Sequence, residues 1–394
     1  MSLNNTPSGQ RVHIGFFGIR NAGKSCIVNK ITNQSISLVS AHKGTTTDPV
    51  KKSMELLPIG PVVIIDTAGF DDEGELGELR KKRSYRILDE MDIVVLVLDA
   101  RNNSLSEEEL DFVKIIKERK LPYVIVENHV DEAEAHGYKE LPGEKLVFTD
   151  ANSDDMTKVK EAIIAVLPNK KEAVPVSDLI AEKSTVVLVI PIDESAPKGR
   201  IILPQQLILR DLLDHKCKAI CCQPSELSET LEENANVSLV ITDSQAFMQV
   251  SKLVPEDIYL TSFSILMARY RGSLATQLEG VAALKELEEG DVVLISEACT
   301  HHRQCNDIGT VKIPNWIRNY TGKAIDFEFS SGNEFPEDLS KYKLVVHCGG
   351  CMINDNEMKS RVKHCKMQNI PIVNYGMAIA EFNGILDRSL KIIH

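Results

Sequence analysis

No stretch of the 394-residue chain approaches the roughly 20 consecutive apolar residues that a membrane-crossing helix needs. The polar start, MSLNNTPSGQR, lacks the apolar core of an export signal, so the expectation is a cytoplasmic protein with no membrane partner. Internal repeats and low-complexity tracts are missing, and a composition of 43% hydrophobic and 26% charged residues gives no reason to expect disorder. Basic charge is in short supply. Asp and Glu number 57 against 45 Lys and Arg, a net −12, and no Lys/Arg run offsets the deficit. Such a surface repels a phosphate backbone, which makes nucleic acid a poor default partner. The nine cysteines are an odd number beside a start without an export signal, and they read as reduced thiols and ligands instead of a disulfide framework.

What is present is a βα rhythm. Short β-branched runs alternate with amphipathic stretches, the pattern of parallel sheets, so the fold class is α/β. The rhythm divides into three blocks, 1–170, 178–265 and 272–394. In the first, strands are expected at Val12–Phe17, Val62–Asp66, Ile93–Asp99 and Tyr123–Glu127, with helices starting near Lys24, Glu75 and Ser106. The block closes in Leu167-Pro168-Asn169-Lys170-Lys171-Glu172, whose proline and like charges read as a linker. The second block offers strands at Thr185–Ile190, Lys218–Cys222 and Val237–Thr242 and a helix begun by Pro204 in its first turn. It carries no catalytic pattern. The third offers strands at Val292–Ser296, Ala324–Phe329, Leu344–His347 and Pro371–Tyr375.

The most specific signal is Gly18-Ile19-Arg20-Asn21-Ala22-Gly23-Lys24-Ser25, which follows an apolar strand and opens a helix, as a P-loop must. The glycines, Gly23 among them, let backbone N–H groups close around phosphates, Lys24 reaches the β and γ oxygens, and Ser25 supplies a hydroxyl to Mg2+. Asp66-Thr67-Ala68-Gly69 ends a strand and matches the DxxG element, in which Asp66 holds Mg2+ through water and the Gly69 amide senses the γ-phosphate. Between them, Gly44-Thr45-Thr46-Thr47-Asp48-Pro49 stands in the place of switch I; Thr46 is the expected Mg2+ ligand, with Thr45 and Thr47 as neighbours that the sequence leaves open. Asn128-His129-Val130-Asp131 is a variant of NKxD. Asp131 there accepts from guanine N1–H and the exocyclic amine, a pair adenine does not offer, so the nucleotide is GTP. His129 replaces the usual lysine, and Ala151 of Thr149-Asp150-Ala151 stands where a backbone amide meets guanine O6.

These residues resemble the Era-like and tRNA-modification group of translation-factor-class GTPases over the first 165 or so residues. The resemblance implies a P-loop GTPase domain. Asn21 occupies the position at which that group holds an activating K+, which implies potassium-stimulated hydrolysis. Phe70 follows Gly69 where Ras-type proteins keep a catalytic glutamine, which implies slow turnover driven by positioning, Mg2+ and a monovalent cation.

The last block carries Cys299-Thr300-His301 and His347-Cys348-Gly349-Gly350-Cys351 at the ends of expected strands, where open α/β sheets bind ligands. Three thiols and two imidazoles suit either four-coordinate zinc or a 4Fe-4S cluster with one iron left open, and spacing alone does not separate them. Cys305 is near enough to serve as an alternative ligand. Cys26, Cys217, Cys221, Cys222 and Cys365 are expected to pack as small hydrophobes.

The order of GTPase block, middle block, CxH and then HCxxC is similar to the HydF family, GTPase scaffolds of FeFe-hydrogenase maturation. The acidic stretch from Asp71 to Arg80 and the segment from Pro191 to Arg200 also look like that family, and the resemblance spans essentially the whole chain. It implies two smaller parallel-sheet domains after the GTPase: a dimerisation domain at 178–265, making a homodimer, and a cluster domain at 272–394. It further implies a 4Fe-4S cluster on Cys299, Cys348 and Cys351, with His301 and His347 as additional ligands or as neighbours. A diiron precursor would come from radical SAM maturases and be delivered to the apo FeFe-hydrogenase. The alternative is an Era-like regulatory GTPase with a zinc-stabilised C-terminal domain that acts on RNA or ribosomes.

Overall fold

Runs of Val, Ile and Leu between turn residues form the strands. The computed structural model describes residues 11–33, 49–69, 85–131, 138, 140–141, 143–152, 155–167, 173–192, 201–298, 307–332, 334–350 and 353–393. They belong to two units, Met1–Lys170 and Lys171–His394.

In the first unit the strands are β1 (Val12–Phe17), β2 (Val50–Leu56), β3 (Gly60–Asp66), β4 (Ile93–Asp99), β5 (Tyr123–Asn128) and β6 (Leu146–Phe148), joined in the order β2-β3-β1-β4-β5-β6. β2 runs antiparallel to β3, and the other pairs are parallel. β4 is buried at every residue, as a central strand covered on both faces must be. Helices α1 (Lys24–Thr32) and α3 (Thr157–Ala165) pack Ile27, Val28, Ile31, Val159 and Ile163 against one face, on Ile14, Val62 and Val95. Helix α2 (Glu107–Arg119) packs Phe112, Val113 and Ile116 on the other, against Val63, Val94 and Leu96. Ser106 starts α2 with a reciprocal cap: its hydroxyl accepts from the Glu109 amide at 3.2 Å while its own amide donates to Glu109 Oε2 at 2.8 Å. Such a cap is worth about 1 kcal/mol.

The second unit holds two parallel four-stranded sheets. One runs β10-β9-β7-β8 and contains β7 (Thr185–Val189), β8 (Lys218–Cys222), β9 (Val237–Thr242) and β10 (Tyr259–Ser262). The other runs β12-β11-β13-β14 and contains β11 (Val292–Glu297), β12 (Asp326–Ser331), β13 (Leu344–His347) and β14 (Ile372–Asn374). Helices α4 (Leu203–Asp214), α5 (Leu227–Glu233), α6 (Phe247–Leu253) and α7 (Phe263–Tyr270) go with the first sheet in sequence. α8 (Leu274–Lys285), α9 (Ile313–Thr321), α10 (Asp355–Met367), α11 (Tyr375–Phe382) and α12 (Leu386–Leu390) go with the second. One apolar cluster runs through both sheets, from Val187, Val240 and Phe247 to Leu284, Ile295, Leu344 and Met377. No helix among the described residues is long and apolar enough to cross a membrane.

Several local readings differ from the sequence expectation. β2, β6 and β10 are additional strands, and the strand expected at Ala324–Phe329 lies at Asp326–Ser331. Cys217 and Cys365 are buried as expected, and burial pushes the Cys365 thiol up to about 12. Cys221 is exposed instead, near the end of the edge strand β8. The helix expected near Glu75, the 44–48 segment with Thr46, and Phe70 to Arg80 lie outside the described residues.

Helix α8 approaches β14 through a bare backbone. A Cβ on Gly280 would stand 2.1 Å from the Ile372 carbonyl oxygen and 2.9 Å from the Val373 nitrogen. Gly280→Ala should therefore destabilise by about 1 to 3 kcal/mol through overpacking, despite the ~1 kcal/mol of helix propensity that alanine adds. Urea unfolding of the variant checks this, and a higher midpoint than the parent would contradict the close approach.

Candidate functional site

Parallel pairing sets Phe16 beside Asp66, so the chain leaves β1 and β3 at one carboxyl edge. Thr67 stitches the two exits together, donating from its amide and its hydroxyl to the Phe16 carbonyl at 3.3 and 2.7 Å. The loop that follows β1 lies on β4: a Cβ on Gly18 would meet the Val97 carbonyl oxygen at 2.3 Å. Lys24, buried at the start of α1, donates from Nζ to the carbonyls of Gly18 at 3.0 Å and Ile19 at 2.6 Å, which curls the loop around an ammonium group. Ser25 Oγ donates to Asp66 Oδ2 at 2.5 Å. Asp66 Oδ1 is buried without a hydrogen-bond partner, and burial raises the carboxyl pKa against the opposing pull of Ser25, Lys24 and Lys52. A hydroxyl and a carboxylate side by side, with one buried oxygen unsatisfied, fit a hydrated Mg2+. Gly69 closes the described part of this loop, while Thr46 lies outside the described residues.

The base side is organised by Asn128 at the end of β5, which is fully buried. Its Nδ2 donates to the Ala22 carbonyl at 2.9 Å and its Oδ1 accepts from the Ala151 amide at 2.9 Å, so one side-chain amide joins the phosphate loop to the 149–151 loop. The Ala151 N–H, expected to face guanine O6, donates to Asn128 Oδ1 in this structure. His129 adopts a left-handed backbone, φ 64, and its ring borders the phosphate loop: a Cβ on Gly23 would lie 3.4 Å from its Nε2. Asp131 is exposed on the turn beyond. Cys26 Sγ donates to the Ala151 carbonyl at 3.4 Å. Arg101 is a residue the sequence did not single out. Its guanidinium spans both oxygens of Asp99, Nε to Oδ1 at 2.8 Å and Nη2 to Oδ2 at 2.7 Å, and Nη2 reaches the Asn21 carbonyl at 3.4 Å. Burial would raise the Asp99 pKa, but the Arg101 hydrogen bonds outweigh it and hold the carboxyl below its ordinary range.

In the second unit, the register Ser296 to His347 brings the ends of β11 and β13 together. The Cys348 amide donates to the Ser296 carbonyl at 2.9 Å, and the Ala298 amide donates to Cys348 Sγ at 3.1 Å. Ala298 is the residue before Cys299. The N–H directed at sulfur is the environment a thiolate ligand uses, so Cys348 fits a cluster or metal ligand. Cys299, His301, Cys305 and Cys351 lie outside the described residues, and among the described residues no group of three or more His, Cys, Asp or Glu side chains is arranged around a metal position.

His347 is completely buried. Its Nε2 lies 3.1 Å from Arg361 Nη1 and its Nδ1 lies 2.6 Å from the Cys348 carbonyl oxygen. Guanidinium can only donate, so Nε2 accepts and Nδ1 carries the proton that it donates to the carbonyl. Burial first, and then the Arg361 charge, push its pKa down to about 3. With both nitrogens engaged, His347 supports the Cys348 backbone in this structure, the neighbour role of the two that the sequence leaves open. Arg361 is itself held by the Gly332 carbonyl at 2.7 Å and Glu357 Oε1 at 2.5 Å. Its only trace in the sequence is an i,i+4 Glu-Arg pair on a helix, which does not announce a buried role.

Residues 176–272 match the hydrogen maturase F dimerization domain, and residues 275–392 match the hydrogen maturase F tetramerization domain, together more than half of the chain. The chain belongs to the hydrogen maturase F family. Its first unit is a GTPase domain, with residues 13–129 matching the model described as 50S ribosome-binding GTPase. Among single proteins, the tRNA modification GTPase MnmE of Chromobacterium violaceum is 33% identical over 156 residues, 38% of this chain and 33% of that protein. GTPase Der of Wolinella succinogenes is 31% identical over 184 residues, 43% of this chain and 38% of that protein. This hydrogen maturase F chain thus spans about a third of the length of the curated relatives it matches. The solved structure of Aquifex aeolicus Era bound to GDP and aluminium fluoride has a TM-score of 0.34 and 15% identity, covering 57% of this chain and 98% of that one. The two family domains are those of an oligomer.

Gly23 combines φ +91 with a position where a Cβ would stand 2.1 Å from Asn128 Nδ2. Gly23→Ala must displace the amide that joins the two nucleotide loops, and GTP affinity should fall roughly tenfold or more. Titration with a fluorescent GTP analogue measures it, and unchanged affinity would contradict the role given to Asn128.

Proposed function

We propose that this protein is a potassium-stimulated GTPase and iron-sulfur scaffold that receives a diiron precursor from radical SAM maturases and delivers it to apo FeFe-hydrogenase. Family membership supports the maturation role. The observation that carries the scaffold reading is Cys348 Sγ held by the amide of Ala298, beside the chain position of Cys299. Cys299, Cys348 and Cys351 hold a 4Fe-4S cluster, which supplies one iron open to an exchangeable ligand. The diiron unit is cargo, and the protein works as a homodimer in the cytoplasm. His301, the other imidazole of the motif, stands beside the cluster as an additional ligand or a neighbour.

At the nucleotide, Lys24, Ser25 and Asp66 place GTP and Mg2+, Thr46 and Gly69 report the γ-phosphate, and Asn21 holds K+ at the mouth of the phosphate loop. Asp131 reads guanine. Asn128 acts from beneath the base by locking Ala22 and the Ala151 amide into one surface. The net charge of −12 weighs against a role on RNA.

Two measurements on the full chain test the reading. Lys24→Ala should abolish potassium-stimulated GTP turnover while leaving the EPR signal of the reconstituted, dithionite-reduced protein in place; unchanged turnover would remove the phosphate-loop assignment. Cys299→Ser, Cys348→Ser and Cys351→Ser should each lose that EPR signal and most of the bound iron after anaerobic reconstitution. An unaltered signal in any one removes that thiol from the ligand set, and stoichiometric zinc with no iron uptake by the parent protein overturns the cluster.

A further inference from the structure

Helix α7 ends between two arginines that grip different parts of the second unit. Arg269 donates from Nη1 to the carbonyls of Val174 at 3.3 Å and Pro175 at 3.4 Å, and its guanidinium pairs with the Asp178 carboxylate. Residues 174–178 are where the chain coming from the GTPase domain first joins this unit. Arg271 turns the other way, and its side chain is only 5% exposed. Its Nε donates to Asp355 Oδ1 at 2.8 Å, Nη1 to the Gly349 carbonyl at 2.8 Å and Nη2 to the Gly350 carbonyl at 3.3 Å. The fork of one buried guanidinium thus covers a carboxylate at the start of α10 and two consecutive carbonyls of the cysteine loop. A lysine, with a single point of charge, cannot match that geometry.

The loop is built to accept this grip. Gly350 has φ +63, and a Cβ there would press on Arg271 Nη1 at 3.4 Å, Met358 Sδ at 3.3 Å and Ile353 Cγ1 at 3.4 Å. In a planar trans peptide the carbonyl and the following N–H point to opposite sides. Drawing the Gly349 carbonyl onto Arg271 therefore turns the Gly350 N–H away from the guanidinium. Losing this buried donor would leave the buried Gly350 carbonyl unpaired and strip the half-buried Asp355 and the Gly349 carbonyl of their charged partner, which favours one arrangement of the loop.

We propose that Arg271 is the positioning residue of the cysteine loop, and that the end of α7 clamps this loop to the 174–178 segment through Arg271 and Arg269. Arg271 fixes the peptide planes between Cys348 and Gly350 before any ligand arrives, and it lays a permanent positive charge against the loop. Arg269 ties the same helix end to the segment that leads in from the GTPase domain, so a shift of that segment reaches the loop across two residues of helix. The part concerning a bound cluster rests on the proposed scaffold function, whereas the positioning of the loop does not.

Hydrogen exchange of the full-length, cluster-free protein tests the positioning directly. In Arg271→Ala, amides in peptides spanning 345–358 should exchange roughly tenfold faster or more, as expected for loss of a buried charged donor. Arg271→Lys should recover only part of the protection. Should Arg271→Ala fail to fold, Asp355→Asn, which loosens only the Nε anchor, should give a smaller increase in the same peptides. Arg269→Ala should also raise exchange at 345–358, although it touches none of those residues. Parent-like exchange in folded Arg271→Ala, or full recovery by Lys, overturns the fork; parent-like exchange in Arg269→Ala overturns the clamp. On reconstitution, Arg271→Ala should shift the g-values of the reduced cluster. If the parent takes up no cluster, the scaffold reading fails while the exchange result still decides the role of Arg271.

Discussion

Parallel strand register is the constraint on which both functional edges depend. Parallel neighbours deliver their carboxyl ends to one side of a sheet, and the loops that leave them are forced into contact. In the first unit the Phe16 to Asp66 pairing brings the phosphate loop to the aspartate of the DxxG element. In the second the Ser296 to His347 pairing brings Ala298 to the sulfur of Cys348. A slip of one residue in either pair would turn Asp66 or His347 to the opposite face and dissolve the site. Ile64 and Val95 are buried together on one face of the first sheet and Ile295 and Val346 together on one face of the second, and a slip would take these side chains out of their clusters.

Within each edge, a small number of buried polar side chains holds the loops to one another. Asn128 uses donor and acceptor ends of one amide to join loops far apart in sequence, and Thr67 closes the gap between β1 and β3. In the second unit Arg361, His347 and the Cys348 carbonyl form a chain in which every proton has an assigned direction. These groups are removed from water, so each unmade bond would cost about 1 to 3 kcal/mol. That asymmetry, more than any favourable contact, keeps the loops in one arrangement.

Much of the fold could be read from sequence, and the reason is burial. Strands β1, β4, β9 and β13 fall on the residues that their apolar runs mark out, since a strand covered on both faces needs no polar alternation and stops where the run stops. β2 escaped notice because VKKSMEL is mostly solvent-facing and pairs antiparallel at the sheet edge. The phosphate loop was legible because its spacing is local, set by one strand, one turn and one helix. Arg271 and Arg361 were not, since each is buried and reaches across the fold, Arg271 to the Gly349 carbonyl and Arg361 to the Gly332 carbonyl, and nothing nearby in the chain distinguishes either from a solvated charge. The role of the histidine beside Cys348 stays open in the sequence for the same reason: the Arg361 contact that engages its Nε2 is made in the fold.

In the proposed scaffold function, iron is held at the carboxyl edge of β11 and β13. Anomalous diffraction at the iron edge, on crystals of the anaerobically reconstituted full chain, tests this most directly. The prediction is an iron peak within bonding distance of Cys348 Sγ, on the side where Ala298 meets it. Iron bound elsewhere, or a Cys348 sulfur with no iron beside it in a protein of full iron content, would contradict the account.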